Sequence, residues 1–292
     1  MDLEFPVISW EKARSWLLWL GLPLMAGLLI SLAIPQPAIG IIRFNQAIDG
    51  QTAAELNAQI EFARQNPRIR AVVLILDSPG GTVADTEAVY LELSKLREKK
   101  PLVSSVGSMA ASGAYYMAAA CDQIVAKPSS QVGNVGVIGY LPSPPLLIED
   151  IVSTGPYKMW GSPRDTYLRE MEVSKQGFYQ AVALGRGERL LIEKETLLRG
   201  QVWSGSEALK IGLVDQLGTE SDAVQNAARL AGTWHYQVVD LREAAGLPHI
   251  ETVPFFLLTE EGLTSSLPAK PGLYMLYVPP LPGQEGESDV LQ

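Results

Sequence analysis

After a short Pro-containing linker at residues 36–40, short apolar runs alternate with longer segments in which apolar residues recur every three or four positions. Residues 71–77 (AVVLILD) form an unbroken apolar run, which suits a strand covered on both faces of a parallel sheet. Residues 82–97 place their apolar side chains along one side of a helix. This alternation predicts a layered α/β fold with right-handed crossovers.

The same patterns locate the other elements of a domain that spans residues 39–245. Further strands are predicted at residues 41–44, 102–106, 123–126, 135–138 and 236–241, with a short extended piece at 157–160. Further helices are predicted at residues 52–65, 112–120, 146–152, 167–184, 190–198, 205–211 and 220–230. We expect the first of these helices to begin at Thr52, with Glu55 completing a capping box.

Residues 246–292 form a tail of different character, because prolines are spread through it. Apolar pieces remain at residues 255–258 and 273–278. We expect the tail to lie on the core or to pair with a neighbouring molecule. Its acidic end, residues 284–292, has the composition of a disordered segment.

Residues 16–34 carry no charge and match the length of a transmembrane helix. Lys12 and Arg14 precede this segment, so the positive-inside rule places residues 1–15 in the cytoplasm. We therefore expect a single-pass protein of the cell membrane with its folded domain outside the cytoplasm. Two alternatives are a cleaved signal peptide, since residues 31–33 (SLA) resemble a cleavage site, and a buried core helix.

Composition narrows the classes of function. With 47% hydrophobic and 19% charged residues, the chain of 292 residues can bury a full core in one or two domains. A net charge of -9 argues against nucleic-acid binding. Cys121 is the only cysteine, which rules out an intrachain disulfide, and no His/Cys cluster suggests a metal site. We expect neither a metal nor another cofactor.

Ser112 is the first candidate for chemistry, within residues 109–116 (MAASGAYY). Small neighbours leave room for a peptide backbone to approach its hydroxyl, although a serine at a helix start is often only a cap. The Ser-Pro-Gly-Gly sequence at residues 78–81 could be an ordinary turn between a strand and a helix. It could also expose the N–H of Gly81, which together with the N–H of Gly113 would form an oxyanion hole.

A serine nucleophile needs a base, and Lys158 is the best candidate. It lies among Tyr157, Met159 and Trp160 with no acidic residue close in sequence, and a lysine kept away from water and carboxylates loses its proton more readily. A snorkelling surface lysine is the alternative. His235 and His249 have no acidic partner at a suggestive spacing.

Cys121 is a rival nucleophile, because it follows Ser112 by nine residues. A cysteine at the end of an apolar helix, however, more often packs as a small buried residue.

Seven segments in this order resemble the signal peptide peptidase A family of membrane-bound Ser/Lys proteases, which have the Clp protease/crotonase fold of repeated β-β-α units. They are LDSPGG (76–81), MAASGAYY (109–116), GNVGVI (133–138), GPYK (155–158), GSPR (161–164), GRG (185–187) and GLVDQLG (212–218). The resemblance covers about residues 41–232. It implies that Ser112 is the nucleophile, Lys158 the base, and Gly81 and Gly113 the oxyanion donors.

The resemblance also implies substrates and an oligomeric state, and the sequence differs from the family pattern at one position. The expected substrates are signal-peptide remnants or other membrane-derived peptides, and half-length members of the family assemble into ring-like homo-oligomers. Asn134 stands where the family commonly has a serine that bonds to the lysine. Its carbonyl oxygen could still orient Lys158, or the dyad could be weakened. Two other functions stay open: a crotonase-like acyl-CoA enzyme and a non-catalytic membrane scaffold.

Overall fold

The computed structural model describes residues 14–33, 36–140, 154–155, 158, 164–248, 256–259, 262–265 and 272–278. Their α-helices are α1 (Leu22–Ala33), α2 (Gly50–Gln65), α3 (Val83–Arg97), α4 (Gly113–Ala119), α5 (Arg164–Arg186), α6 (Lys194–Leu197), α7 (Gly205–Lys210), α8 (Glu220–Leu230) and α9 (Leu241–Ala244). Their strands are β1 (Ala38–Phe44), β2 (Ile69–Ser78), β3 (Gly80–Thr82), β4 (Leu102–Ala111), β5 (Gln123–Ala126), β6 (Gln131–Gly133), β7 (Ile138–Tyr140), β8 (Val202–Ser204), β9 (Gln216–Leu217), β10 (Gln237–Asp240), β11 (Phe256–Thr259), β12 (Gly262–Ser265) and β13 (Gly272–Leu276).

A mixed sheet forms the centre of the domain. Strands β10, β1, β2, β4, β5 and β9 lie side by side in this order, and every neighbouring pair is parallel. The short strand β6 pairs in parallel with the end of β4 and antiparallel with β8. The predicted α/β class is therefore confirmed.

Side chains of the central strands alternate between two apolar clusters, one on each face of the sheet. In β2, Val72 and Leu74 belong to the larger cluster, whereas Ala71 and Val73 belong to the smaller one. The smaller cluster includes residues of α8, and the larger one includes residues of α2, α3, α4 and α5. Burial on both faces explains why residues 71–76 of β2 are apolar without interruption.

Two connections meet at the carboxyl ends of β2 and β4. The register pairs Ser78 at the end of β2 with Ala110 near the end of β4. The Pro-Gly-Gly turn after β2 and the start of α4 after β4 are thereby neighbours. Open sheets with parallel strands commonly bind their ligands at this edge.

Three sequence predictions differ from the structure in detail. Residues 135–137 lie outside any strand, between β6 and β7. Only α6 forms within the helix predicted at residues 190–198, because the backbones of Leu190 (ψ 111°) and Glu193 (ψ 145°) are extended. Helix α2 begins earlier than predicted, since Asp49 is its N-cap and exchanges hydrogen bonds with Thr52. The helix predicted at 146–152 lies outside the described residues.

At the N-terminus, Leu17–Gly21 is π-helical and leads directly into α1. Within the described part of the chain, no helix is long and apolar enough to cross a membrane.

The tail contributes strands that the sequence patterns did not predict. Strands β11 and β12 form an antiparallel hairpin. Strand β13 pairs antiparallel with β3 on one side and with β7 on the other. This part of the tail therefore lies on the domain of its own chain.

Candidate active site

Ser112 lies between the end of β4 and the first residue of α4, and its backbone has an unusual conformation. Its φ of 53° and ψ of -121° are uncommon for a residue with a side chain. The N–H of Ser112 donates to the carbonyl of Gly133 at 2.8 Å, which ties this bend to β6. The residue is buried, yet its hydroxyl makes no capping hydrogen bond to α4. Ser112 is therefore the N-cap residue of α4, but it has a strained backbone and its side chain does not cap the helix.

Gly113 follows at the start of α4, directly against the Pro-Gly-Gly turn. A methyl group added at Gly113 would lie 2.7 Å from Oγ1 of Thr86, and one added at Gly80 would lie 2.6 Å from the nitrogen of Gly113. Side chains at either position would separate the turn from the helix. Glycine is thus required for the contact that brings the two expected oxyanion donors to one place.

Gly81 is enclosed on one side by Ile48. The nitrogen of Ile48 donates to the carbonyl of Gly80 at 2.8 Å, and its carbonyl accepts from the N–H of Thr82 at 3.0 Å. A methyl group at Gly81 would lie only 1.9 Å from the Ile48 oxygen. Because neighbouring residues of a strand point their N–H groups to opposite edges, the N–H of Gly81 faces away from Ile48.

Asn134 has a left-handed backbone, with φ at 56°. Its backbone N–H donates to the carbonyl of Gln201 and its side-chain Nδ2 donates to the carbonyl of Gly200, both at 2.7 Å. The side chain therefore ties the β6–β7 connection to the residues before β8. Among the described residues, no hydrogen bond reaches its Oδ1, which is the atom predicted to orient the lysine.

Lys158 is described as a single exposed residue whose N–H donates to the carbonyl of Gly155 at 3.2 Å. Its sequence neighbours Tyr157, Met159 and Trp160 lie outside the described residues. No described contact joins Lys158 to Ser112. The structure thus brings Ser112, Gly113 and Gly81 together, whereas the role of Lys158 as their base stays a prediction.

The rival nucleophile Cys121 is fully buried after α4. Burial raises the pKa of its thiol, with the nearby carboxylate of Asp122 acting in the same direction. The reactive thiolate is therefore disfavoured. This geometry agrees with the expectation that Cys121 packs as a small buried residue.

A buried ion pair between Arg186 and Asp215 was not found from the sequence. The side chain of Arg186 is fully buried and donates to both carboxylate oxygens of Asp215, at 2.8 and 2.7 Å. Its Nε donates to the carbonyl of Gly212 at 2.8 Å, and Asp215 also accepts from the N–H of Ile124. Burial opposes ionisation of Asp215, but the bonds from Arg186 outweigh it and hold its pKa below the ordinary value. Both residues belong to quoted motifs, although their spacing does not indicate that they pair.

Two family models match the chain over this region. Residues 94–233 match Peptidase family S49, and residues 38–132 match the Clp protease model. The resemblance indicated by the seven motifs is thereby confirmed, and the proteins that the chain is similar to over these residues are serine peptidases.

Individual relatives point to the same family. Protease 4 of Salmonella typhi is 34% identical over 215 residues, which cover 68% of this chain and 35% of that protein. The Synechocystis sp. protein slr0021, provisionally named a protease, is 36% identical over 179 residues, or 56% of this chain and 63% of its own length. The serine protease SPPA of Arabidopsis thaliana chloroplasts is 31% identical over 193 residues, covering 61% and 28%. The chain thus spans between 28% and 63% of the length of these relatives.

Proposed function

We propose that the protein is a serine endopeptidase in which Ser112 attacks the peptide carbonyl. The observation that carries this proposal is the strained Ser112, whose hydroxyl makes no capping bond, next to Gly113 and to the Gly80–Gly81 turn that packs against Gly113. Two such donors stabilise the negative oxygen of a tetrahedral intermediate, and the loss of one typically costs about 3–4 kcal/mol in activation energy. Similarity to serine peptidases supports the same function.

In the proposed mechanism, unprotonated Lys158 takes the proton of the Ser112 hydroxyl as its oxygen bonds to the carbonyl carbon. The resulting oxyanion accepts hydrogen bonds from Gly81 and Gly113. Protonated Lys158 then gives the proton to the leaving amine, and the peptide bond breaks. Water, deprotonated by Lys158, hydrolyses the acyl-serine and restores the free hydroxyl.

This mechanism needs Lys158 to be shielded from water, and the residue is exposed in the single chain. We therefore keep homo-oligomerisation within the proposal, with a neighbouring subunit covering the lysine. Asn134 could accept a hydrogen bond from the lysine amine through Oδ1, since its Nδ2 is already bound to Gly200.

We further propose that the substrates are apolar peptides, such as remnants of signal peptides or fragments of membrane proteins. Attachment to the cell membrane through residues 16–34, with the domain outside the cytoplasm, is part of this proposal. Exposed apolar side chains along the N-terminal helical segment support it, including Trp16, Trp19 and Leu24.

A non-catalytic scaffold of the same fold is the second candidate, and the exposure of Lys158 favours it. A fluorophosphonate probe separates the two, because it forms a covalent bond only with an activated serine. We expect the protein to be labelled, Ser112→Ala to abolish labelling, and Lys158→Ala to lower its rate by about 100-fold or more.

Matched controls are Ser221→Ala and Lys99→Ala, which remove the same side chains from exposed positions. Both should be labelled like the unaltered protein. Absence of labelling at every pH between mildly acidic and alkaline would favour the scaffold. Labelling that survives in Ser112→Ala would rule out Ser112 as the nucleophile.

A further inference from the structure

Strand β13 of the tail lies between two strands that do not pair with each other. Its pairing with β3 joins Tyr274 to Thr82, Met275 to Gly81 and Leu276 to Gly80. Its opposite edge pairs with β7. Since neighbouring strands lie about 4.8 Å apart, β3 and β7 flank a slot that is one strand wide.

The register directs the carbonyl of Met275 towards the expected oxyanion donors. Tyr277 donates to the carbonyl of Pro79 at 2.8 Å, so these two residues are a hydrogen-bonded pair of the antiparallel ladder. Such pairs recur at every second residue, which makes Met275 and Gly81 the next one. The N–H of Gly81, which faces away from Ile48, therefore faces the Met275 carbonyl.

Close approaches at the two neighbouring glycines agree with this register. A methyl group added at Gly80 would lie 2.0 Å from the carbonyl oxygen of Met275 and 2.6 Å from the nitrogen of Gly113. One added at Gly113 would lie 3.1 Å from the same oxygen. The Met275 carbonyl thus occupies the place where the carbonyl of a bound peptide would accept its hydrogen bonds.

The side chain of Met275 fills an apolar pocket. It is fully buried and belongs to the larger core cluster, and β13 packs on α3 and α4. Leu276, the next residue, is also buried. A long, unbranched apolar residue is therefore accommodated on the amino-terminal side of the carbonyl that faces Gly81 and Gly113.

We propose that β13 is a built-in substrate mimic that occupies the peptide-binding slot of the same chain and inhibits it. This inference rests on the proposed function of Ser112. A substrate must displace β13, bind as an antiparallel strand between β3 and β7, and present a long apolar residue where Met275 lies. If the slot is free in only about 1–10% of the molecules, displacing β13 raises the reaction rate of Ser112 by about 10- to 100-fold.

The first test expels the strand by placing a charge in the apolar pocket. Met275→Asp should raise the rate of fluorophosphonate labelling of Ser112 by about tenfold or more. Thr264→Asp, which adds the same charge to β12 of the same tail, should leave the rate unchanged. An unchanged rate in a Met275→Asp variant that keeps its circular dichroism and melting temperature would overturn the proposal.

A second variant locks the strand in place and so does not depend on tolerance of a buried charge. Thr82 and Tyr274 face each other as a non-hydrogen-bonded pair, whose short separation suits a disulfide. In the double variant Thr82→Cys/Tyr274→Cys, oxidation should form the disulfide and slow labelling about tenfold or more, and reduction should reverse the effect. Failure of the disulfide to form, or a disulfide without an effect on labelling, would contradict the proposal.

Peptide binding separates this proposal from the proposed function, since it needs no reaction at Ser112. In the Ser112→Ala background, a fluorescent peptide of residues 272–278 (GLYMLYV) should bind the Met275→Asp variant at least about tenfold more tightly than the parent. If no variant is ever labelled but this difference is found, Ser112 is not a nucleophile and β13 still occupies the slot. Equal affinity for both proteins would refute the occupancy.

Discussion

At the scale of single residues, the backbone of Ser112 distinguishes it from an ordinary helix cap. The sequence indicates a serine among small residues, and this pattern also fits a cap. A φ of 53° with no capping bond is a different arrangement, because the chain holds a conformation that costs free energy. The bond from the Ser112 N–H to Gly133 comes from β6, which is distant along the chain. No local pattern could have predicted it.

A substitution at Gly81 tests how closely β3 is packed. Gly81→Ala places a methyl group 1.9 Å from the Ile48 oxygen, which backbone cannot accommodate without moving. We expect the free energy of unfolding to fall by about 1–3 kcal/mol, as measured by urea denaturation. Labelling of Ser112 should fall as well, because the expected N–H donor shifts with the strand.

The matched control is Gly177→Ala in α5, where an added methyl group meets nothing within 4 Å. This change should raise the free energy of unfolding by about 0.5–1 kcal/mol, since alanine favours helix. Equal free energies of unfolding for the two variants would show that β3 accommodates a methyl group at Gly81, which the close contact with Ile48 argues against.

At the scale of elements, the ion pair between Arg186 and Asp215 joins the end of α5 to the segment that enters β9 and to β5. Asp215→Asn leaves the buried Arg186 guanidinium without its counter-charge. We expect a loss of about 3–5 kcal/mol in the free energy of unfolding. The measurement is urea denaturation at neutral pH.

An exposed ion pair provides the control. Asp165 and Arg169 lie 3.7 Å apart with both side chains about 70% exposed, so Asp165→Asn should change the free energy of unfolding by less than about 0.5 kcal/mol.

The stability of the protein should also depend on pH through Asp215, because the pKa of this residue is lower in the folded than in the unfolded chain. Its stabilising contribution is therefore complete above the unfolded pKa, near 4, and is lost as the pH falls through the folded value. Asp215→Asn should lack this acid-dependent part of the stability curve.

The long elements were predictable, and the short ones were not. The unbroken apolar run of β2 and the periodic pattern of α3 identify both elements, because burial determines their composition. Strands β3, β6 and β8 have three residues each, which is too few for a pattern. Their existence depends on partners elsewhere in the chain. The same holds for β13, whose apolar character was visible while its partners β3 and β7 were not.

At the scale of the whole molecule, the exposure of Lys158 predicts that activity depends on association. If a second subunit shields this lysine, the rate of Ser112 labelling per chain should fall on dilution, in parallel with dissociation measured by sedimentation velocity. Dilution should not affect the residual labelling of Lys158→Ala, which no longer has an amine to shield. A rate that stays constant while the oligomer dissociates would exclude this role for the neighbouring subunit.

The pairing of β13 with β3 and β7 has a thermodynamic consequence, because ligand and receptor are parts of one polypeptide. A tethered ligand acts at a fixed effective concentration, in the millimolar range for short flexible connections, however dilute the protein is. A free peptide must therefore reach a high local concentration, or bind far more tightly, before it enters. Such a threshold would exclude dilute peptides and admit only those that accumulate next to the protein.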